Sequence, residues 1–296
     1  MWYALRQHCT VDVYFLDKQR QRNLRQFFSA IDLGVYDRVV LDLMFKHIHK
    51  QGRLLRTLPA LTIYEEDAYL DIMPGSRWLG AFIKLYRRLP GLRVISTGYM
   101  VTCHLRDSGV DAYFTPKGFD PSRLRDQNKP TRDIDLGFIG RLGSKAYSAR
   151  RNMLESLGQR ESLQVMRTSS AEEYLDMLNR IRCFVSADVG LGEYMAKNFE
   201  AMACGCLLLA KRQGQGEEEA LGFVDGGNVL LYDDLDSLCA QVAWVRAHPG
   251  RAAEIAQQGR EHVLAHNTYA HLADQVAKVI AEPFLPLPSL SWWRWW

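Results

Sequence analysis

The sequence predicts an α/β protein made of two doubly wound, Rossmann-like domains facing a cleft. Three observations carry this. Short runs rich in β-branched and aromatic residues alternate with longer amphipathic stretches, the pattern of βαβ units around a parallel sheet. The alternation occurs twice, and residues 122–132 between the two sets are polar, with Leu124 as their only aliphatic anchor. A chain of 296 residues, 47% of them hydrophobic, is long enough for two such cores.

In order along the first set, strands are expected at 11–16, 38–43, 60–64, 93–97 and 112–115, where the apolar runs are short and rich in strand formers. Helices are expected between them at 21–31, 46–58, 77–89 and 100–108. The second set begins with a strand at 134–139 and a helix from about 148, then a strand at 163–166 and a helix at 171–180. It continues with a strand at 183–186, a helix from about 197, a strand at 207–210 and two final helices at 235–247 and 251–266. The domains so defined are 1–125 and 133–282, followed by a Pro/Trp-rich tail, 283–296. In sheets of this kind ligands bind at the carboxyl ends of the strands.

The net charge of +3 conceals an asymmetry. Residues 1–132 carry 21 Lys/Arg against 13 Asp/Glu, and residues 133–296 carry 16 against 21. The cations of the front half include Arg20, Arg22, Arg25, Arg53, Arg56, Lys84, Arg87, Arg88 and Arg93. Lys84, Arg87 and Arg88 recur at helical spacing beside Trp78, Phe82, Leu85 and Tyr86, which suits either a solvated helix face or a surface turned toward anionic lipid or a phosphorylated acceptor. No nucleic-acid module is recognisable, so a nucleic-acid partner is not expected. The six cysteines form no Cys-x-x-Cys pair and the histidines no His-Glu-x-x-His arrangement, so reduced thiols and no metal are expected. No apolar run reaches the ~20 residues of a membrane span, and residues 1–17 lack a signal-peptide core, which makes a cytoplasmic protein the expectation.

Two segments carry chemistry. From Gly190 to Leu209 the chain reads as a glycine-bearing loop, a helix beginning near Lys197, a glycine stop at Gly205 and an apolar strand. A helix N-terminus offers N–H groups and partial positive charge to a diphosphate, Lys197 adds a full charge, and Glu200 is placed one turn inside to accept from ribose hydroxyls. The other reading is an ordinary helix with an exposed Lys and Glu. The segment 136–145 ends an apolar strand in a glycine turn, Gly140, bearing Arg141 and Lys145, two cations that either clamp phosphate oxygens or form a solvated basic turn.

These residues also carry a likeness. Phe138-Ile-Gly-Arg-Leu with Lys145, Phe199-Glu-Ala-Met-Ala-Cys-Gly205, Gly222-Phe-Val-Asp-Gly-Gly-Asn-Val-Leu-Leu231 and, upstream, Tyr113-Phe-Thr-Pro-Lys-Gly-Phe-Asp120 resemble, in order and spacing, the GT-B glycosyltransferases. The nearest likeness is to the family-4-like group and its CgeB-like relatives, over roughly residues 95–280. The resemblance implies that Arg141 and Lys145 hold a donor diphosphate, that Glu200 holds the ribose, and that Lys197, Asn198 and Phe199 open the phosphate-receiving helix. The family's paired glutamates are separated by seven residues, whereas here the first position is Gly192 and the carboxylate is displaced to Glu193. Glu193 is thus either a donor-sugar contact or a plain loop carboxylate. The loop 214–216 ahead of Glu217, Glu218 and Glu219 would lie near the sugar, with the acids favoured by a helix dipole.

The front half departs further. Its opening glycine-rich turn is missing, so the N-terminal domain is expected to be abbreviated. Where the family often has a His-Asp pair, this chain has Glu66 and Asp67, preceded by Glu65. At a strand's carboxyl end these acids suit a general base toward an acceptor hydroxyl, or a cap for the following segment. His47 and His49 either line the same cleft or sit at a solvated helix start, the latter being the expectation for both.

The resemblance implies a glycosyltransferase that moves a sugar from a nucleotide-diphosphate donor to a hydroxyl of a surface-glycan or lipid-linked acceptor, retaining rather than inverting, with neither metal nor cofactor. A non-catalytic scaffold of the same fold, and a nucleotide-sugar epimerase or hydrolase, remain open. Trp292, Trp293, Trp295 and Trp296 either pack on the front domain or meet the headgroup zone of a membrane, on whose inner face the protein would be peripheral.

Overall fold

The computed structural model describes residues 1–143 and 148–284, so Lys145 and the four tail tryptophans lie outside the described residues. The chain divides into two compact units. One comprises Trp2–Thr115 and the chain from Ala273 onward, the other Pro116–Leu272.

The first unit contains, in order, α1 (Lys18–Arg22), α2 (Leu24–Phe28), β1 (Val39–Asp42), α3 (Phe45–Ile48), α4 (Gly52–Leu55), β2 (Leu61–Glu65), α5 (Ala81–Tyr86), β3 (Arg93–Ser96), α6 (Tyr99–Asp107) and β4 (Asp111–Phe114). The four strands form a parallel sheet in sequential order, β1-β2-β3-β4, with Val39 opposite Leu61, Thr62 opposite Arg93 and Arg93 opposite Asp111. Phe45 and Phe82 stack at 3.7 Å between ring centres and, with Tyr86, centre a buried aromatic cluster.

Several expected elements take another form here. Exposure alternates over residues 11–14 but breaks at 15, where Tyr14 and Phe15 are both exposed, and no strand pairs with this segment among the described residues; an unpaired strand has no ladder to hold it. The expected helix at 21–31 is two short helices broken at Asn23, whose φ of −132° and ψ of 60° are non-helical. The helix expected at 46–58 breaks before α4, where the Gln51 side chain donates to the carbonyls of Gln21 and His47 and accepts from the Leu24 N–H. The stretch 77–89 contracts to α5, entered through Gly80 at φ +69°. His47 is buried, and His49 stacks on Phe45 and meets Trp78 edge-on, so neither is a solvated helix start.

The second unit carries β5 (Ile134–Ile139), α7 (Ser148–Arg160), β6 (Leu163–Met166), α8 (Ala171–Arg180), β7 (Ile181–Ser186), α9 (Ala196–Ala203), β8 (Leu207–Lys211), α10 (Glu217–Leu221), β9 (Leu230–Tyr232), α11 (Leu235–Ala247) and α12 (Pro249–His266). Its five strands are parallel in the order β6-β5-β7-β8-β9. The chain leaves β5 toward β6 on one side and returns to β7 on the other, so the topological switch point lies between the carboxyl ends of β5 and β7. The short edge strand β9 and a last helix, α13 (Tyr269–Ala281), are elements that the periodicity did not single out.

Residues 122–132, expected as a linker, are tied to this second unit. The Gln127 N–H donates to Asn179 Oδ1 at 2.7 Å, and Arg132 donates to the carbonyls of Leu178 and Ile181 at 3.0 and 2.9 Å. The division thus falls between Thr115 and Pro116 rather than within 125–133, and again inside α13, whose residues from Ala273 go with the first unit. Arg93 explains the second shift. Its guanidinium, 1% exposed, pairs with Asp111 at 2.9 Å and donates to the carbonyls of Val279, Glu282 and Pro283. The Val279 carbonyl is an orphan acceptor in the last turn of α13, and those of Glu282 and Pro283 follow it directly, where a cation also meets the negative end of the helix dipole. Arg38 donates to the carbonyl of Ile280 in the same turn. Arg93 is therefore a helix cap and not one of the cations available to an acidic partner. Among the described residues no helix is long and apolar enough to cross a membrane.

Candidate functional site

The site candidates of the second unit converge at its switch point. β5 ends at Ile139 and the chain turns at Gly140, where a Cβ would lie 2.5 Å from Lys197 Nζ and 2.8 Å from the Phe138 ring. A side chain there would displace that of Lys197, which crosses from α9 to the end of β5. Its ammonium donates to the Ile139 carbonyl at 3.3 Å and lies 4.8 Å from the centre of the Phe138 ring. Burial and the positive charge of Arg150 push the Lys197 ammonium down to about 8, against the opposing pull of Asp188 and Glu200. A cation kept partly desolvated, with a carbonyl and a ring face as its neighbours, gains from an incoming anion.

The loop that leads into α9 is fixed from below by Asp188, which follows the apolar run of β7. This carboxylate is 1% exposed and accepts from Arg150 at 2.7 Å, from Asn198 Nδ2 at 2.7 Å and from the Met195 N–H at 3.0 Å. Arg150, itself buried, also donates to the Ala187 carbonyl at 3.1 Å. Gly190 and Gly192, at φ +73° and +69°, let the loop double back, and Gln213 Oε1 accepts from the Gly192 N–H. The N-cap residue Met195 offers no side-chain acceptor, so the first N–H groups of α9 have no side-chain cap. Asn198 and Phe199 are both buried: Asn198 is spent on Asp188, and Phe199 packs against Phe223 at 5.9 Å. Asn198 thus holds the helix through Nδ2, while its buried Oδ1 has no hydrogen-bond partner among the described residues.

Glu200 accepts from the Tyr174 hydroxyl of α8 at 2.6 Å. Burial raises its pKa, while the Tyr174 hydrogen bond and Lys197 favour the carboxylate. Arg141 is exposed at the mouth of the same turn. Glu193 is buried, 1% exposed, and accepts from Lys117 Nζ at 2.8 Å. Lys117 lies in a segment tied to the end of α12 by the Asn267 side chain, which donates to the Lys117 carbonyl, and by the Phe119 N–H, which donates to the Asn267 carbonyl. The acids after Gly216 do more than meet a helix dipole. The Glu218 carboxylate accepts from the Tyr194 hydroxyl at 2.6 Å and from the N–H groups of Gln213 and Gly214, which hold its pKa down against the upward push of burial.

The expected donor residues Gly140, Arg141, Lys197 and Glu200 thus meet at one strand-end. Asp188, Arg150, Tyr174 and Lys117 were not singled out from sequence. Asp188 carried a signal, an acid directly after the run Cys-Phe-Val-Ser-Ala. Arg150 carried none, since nothing in its helix distinguishes it from the neighbouring Arg151.

This geometry has known counterparts. Residues 134–278 match a family described as glycosyl transferase-like. No curated protein sequence matches the chain. Anabaena HepE, solved with UDP and glucose, is 12% identical with a TM-score of 0.68, covering 92% of this chain and 84% of that one. Sucrose-phosphate synthase from Thermosynechococcus elongatus is 15% identical with a TM-score of 0.62, covering 90% and 79%. A glycosyltransferase from Rickettsia africae is 11% identical with a TM-score of 0.62, covering 92% and 83%. The fold is that of the GT-B glycosyltransferases.

The expected acceptor-side acids of this GT-B chain belong to the first unit, at the carboxyl end of β2. Glu66 is exposed and Asp67 half-buried, whereas Glu65 is 2% exposed. Glu65 accepts from the Tyr86 hydroxyl at 2.5 Å and from the Asp67 N–H at 2.9 Å, and burial pushes its carboxyl up to about 8. Nearby Asp71, also buried, accepts from the Phe82 N–H at 2.7 Å and lies 3.6 Å from His104 Nε2. Of the three consecutive acids, Glu65 is a structural group that fixes the turn presenting Asp67.

Proposed function

We propose that the chain transfers a sugar from a nucleoside-diphosphate donor to a hydroxyl acceptor. The observation that carries this reading is Lys197, whose ammonium is held partly desolvated where the N-terminus of α9 meets the end of β5. As the bond from the sugar's anomeric carbon to the diphosphate breaks, negative charge grows on the leaving oxygen. Lys197, Arg141 and the leading N–H groups of α9 are disposed to neutralise it without metal or cofactor. Glu200, kept in place by Tyr174, takes the ribose hydroxyls. HepE is solved with UDP-glucose, which supports a uridine nucleotide as the first donor to try. The attacking hydroxyl gives its proton to Asp67 or Glu66 and reaches the anomeric carbon from the face that the diphosphate leaves, so retention is the expected stereochemistry. TarM from S. aureus, another relative in fold, is solved with alpha-GlcNAc-glycerol and UDP, which favours a glycan-type acceptor. The exposed cations of α5 and its end, Lys84, Arg87 and Arg88, suit an anionic acceptor or membrane surface, since their aromatic neighbours Phe82 and Tyr86 are core.

A thermal-shift screen with UDP, GDP, dTDP and CMP, followed by a nucleotide-sugar panel with acceptor extracts, tests the reading. Stabilisation by one nucleotide and acceptor-dependent release of its diphosphate are expected. Donor consumed without acceptor marks an epimerase or hydrolase, and no binding of any nucleotide marks a scaffold. Either result overturns the transferase.

A further inference from the structure

The positive charge of the first unit has a local source. Residues 43–64 and 72–92 contain no Asp or Glu. The first tract carries Lys46, Lys50, Arg53 and Arg56, all of them exposed. The second adds Arg77, Lys84, Arg87 and Arg88, exposed as well. None of these cations forms an ion pair among the described residues.

The sheet brings both tracts to one surface. β1, β2 and β3 are parallel neighbours in chain order, and right-handed crossovers set α3, α4 and α5 on the same face. Their inner sides are buried through Phe45, Ile48, Leu55, Phe82 and Leu85, and the Phe45–Phe82 stack joins α3 to α5. The Arg56 Nε–H donates to the Arg88 carbonyl at 2.7 Å, which joins the end of α4 to the end of α5. The cations therefore cover the outer side of one helical layer.

Apolar groups stand out among them. Leu79 is 61% exposed and Met44 53%. Trp78, next to Leu79, is half-buried: its ring lies 5.3 Å from that of Phe45 and 4.8 Å from that of His49, under the Arg77 guanidinium at 4.7 Å. Met44 directly precedes Phe45, so Trp78 holds the loop bearing Leu79 against the start of α3. A soluble polyanion would gain from the cations alone. Exposed aliphatic groups beside Trp and Arg gain where charged headgroups meet acyl chains.

We infer that this face is the docking surface for an anionic bilayer, with Leu79 and Met44 entering the headgroup boundary and the surrounding cations meeting the lipid charge. Docking goes beyond the proposed transfer and does not depend on it, so the two readings fail separately.

The test floats the full chain, without nucleotide, on vesicles of phosphatidylcholine alone or with about 30% phosphatidylglycerol. Flotation is expected with the anionic vesicles at about 0.1 M salt, and much less at about 1 M, where the Debye length falls to ~3 Å. Arg87→Glu/Arg88→Glu and, in the other tract, Lys46→Glu/Lys50→Glu should each weaken partition by about tenfold or more. Arg123→Glu/Arg251→Glu changes net charge equally but lies in the second unit, and should float as the wild type does. Leu79→Ser should weaken partition about threefold or more with an unchanged melting temperature, because this side chain already stands in solvent. No flotation with anionic vesicles, equal flotation with neutral ones, or equal losses in the second-unit control would overturn the inference. So would wild-type partition in Leu79→Ser. Heparin or single-stranded DNA that binds more tightly than vesicles, and is lost in the same charge reversals, would assign the face to a soluble polyanion and overturn it too.

Discussion

The two sheets carry opposite charge at the carboxyl ends of their strands, and against their own totals. The first unit belongs to the basic part of the sequence, yet the carboxyl ends of its strands carry Asp42, Glu65, Glu66 and Asp67, with Asp71 beside them. Two of its cations, Arg38 and Arg93, stand at the opposite end, where they close α13. The second unit is acidic in total, yet Lys197, Arg150 and Arg141 gather around the carboxyl ends of β5 and β7. Net charge therefore reports the solvated surface, while the functional charge is set by a few residues at strand ends. A donor diphosphate suits one arrangement and a hydroxyl that must lose a proton suits the other.

The comparison predicts that removing Arg93 and removing Lys197 have opposite signatures. Arg93→Ala leaves Asp111 and three helix-end carbonyls without their donor, and a loss of about 3–5 kcal/mol in urea-unfolding stability is expected. Nucleotide affinity should not change in the fraction that remains folded. If nucleotide binding falls with stability, the two units are not the separate devices argued for above.

Lys197→Met should do the reverse. A charge-assisted contact to phosphate is worth about 1.5–3 kcal/mol, so UDP affinity measured by calorimetry should drop about 10- to 100-fold. Stability should hold or rise, because burial already disfavours this ammonium. An unchanged dissociation constant would remove Lys197 from the diphosphate site.

The same residue gives the pH dependence. The folded protein releases the Lys197 proton at about 8, below the lysine's ordinary value of 10.5, so the unfolded chain holds more protons between those limits. The contribution of Lys197 to stability therefore rises with pH through that window. Binding of a diphosphate selects the protonated form of Lys197, so UDP affinity should fall by up to about tenfold per unit above pH 8. Lys197→Met should abolish that slope. Gly140→Ala offers a gentler version: its methyl group meets the ammonium at 2.5 Å and displaces it, and a loss of about tenfold in affinity is expected.

How much of this could be read without coordinates follows the same division. The second unit was legible because its strands are long and apolar and its glycines mark turns that must be sharp, so the place of Lys197 and Glu200 followed from spacing. What was hidden there is what acts through another residue: Arg150, Asp188 and Tyr174 are ordinary helix and loop residues until folding brings them beneath α9. The first unit was less legible for a physical reason. Its helices are one or two turns long, broken by side-chain bonds such as those of Gln51, and a few residues do not establish a period. Segment 11–16 shows the limit plainly, since a run of strand-forming residues makes a strand only where a neighbouring strand accepts its hydrogen bonds.

The smallest expected effect is also the most specific. Tyr174→Phe removes only the hydroxyl that donates to Glu200 at 2.6 Å. The carboxylate stays in place but loses a bond that favours its charged form, so its pKa, already raised by burial, moves higher. If Glu200 grips the ribose, UDP should bind about 3- to 10-fold more weakly, the worth of one hydrogen bond. The loss should grow as pH falls, because Glu200 protonates at a higher pH in the variant than in the wild type. The preference for UDP over 2′-deoxy-UDP should shrink by a similar factor, while affinity for inorganic pyrophosphate, which has no ribose, should be untouched. A variant that loses pyrophosphate and UDP equally would place Tyr174 and Glu200 in the phosphate site with Lys197, and the separation of roles along α9 would fail.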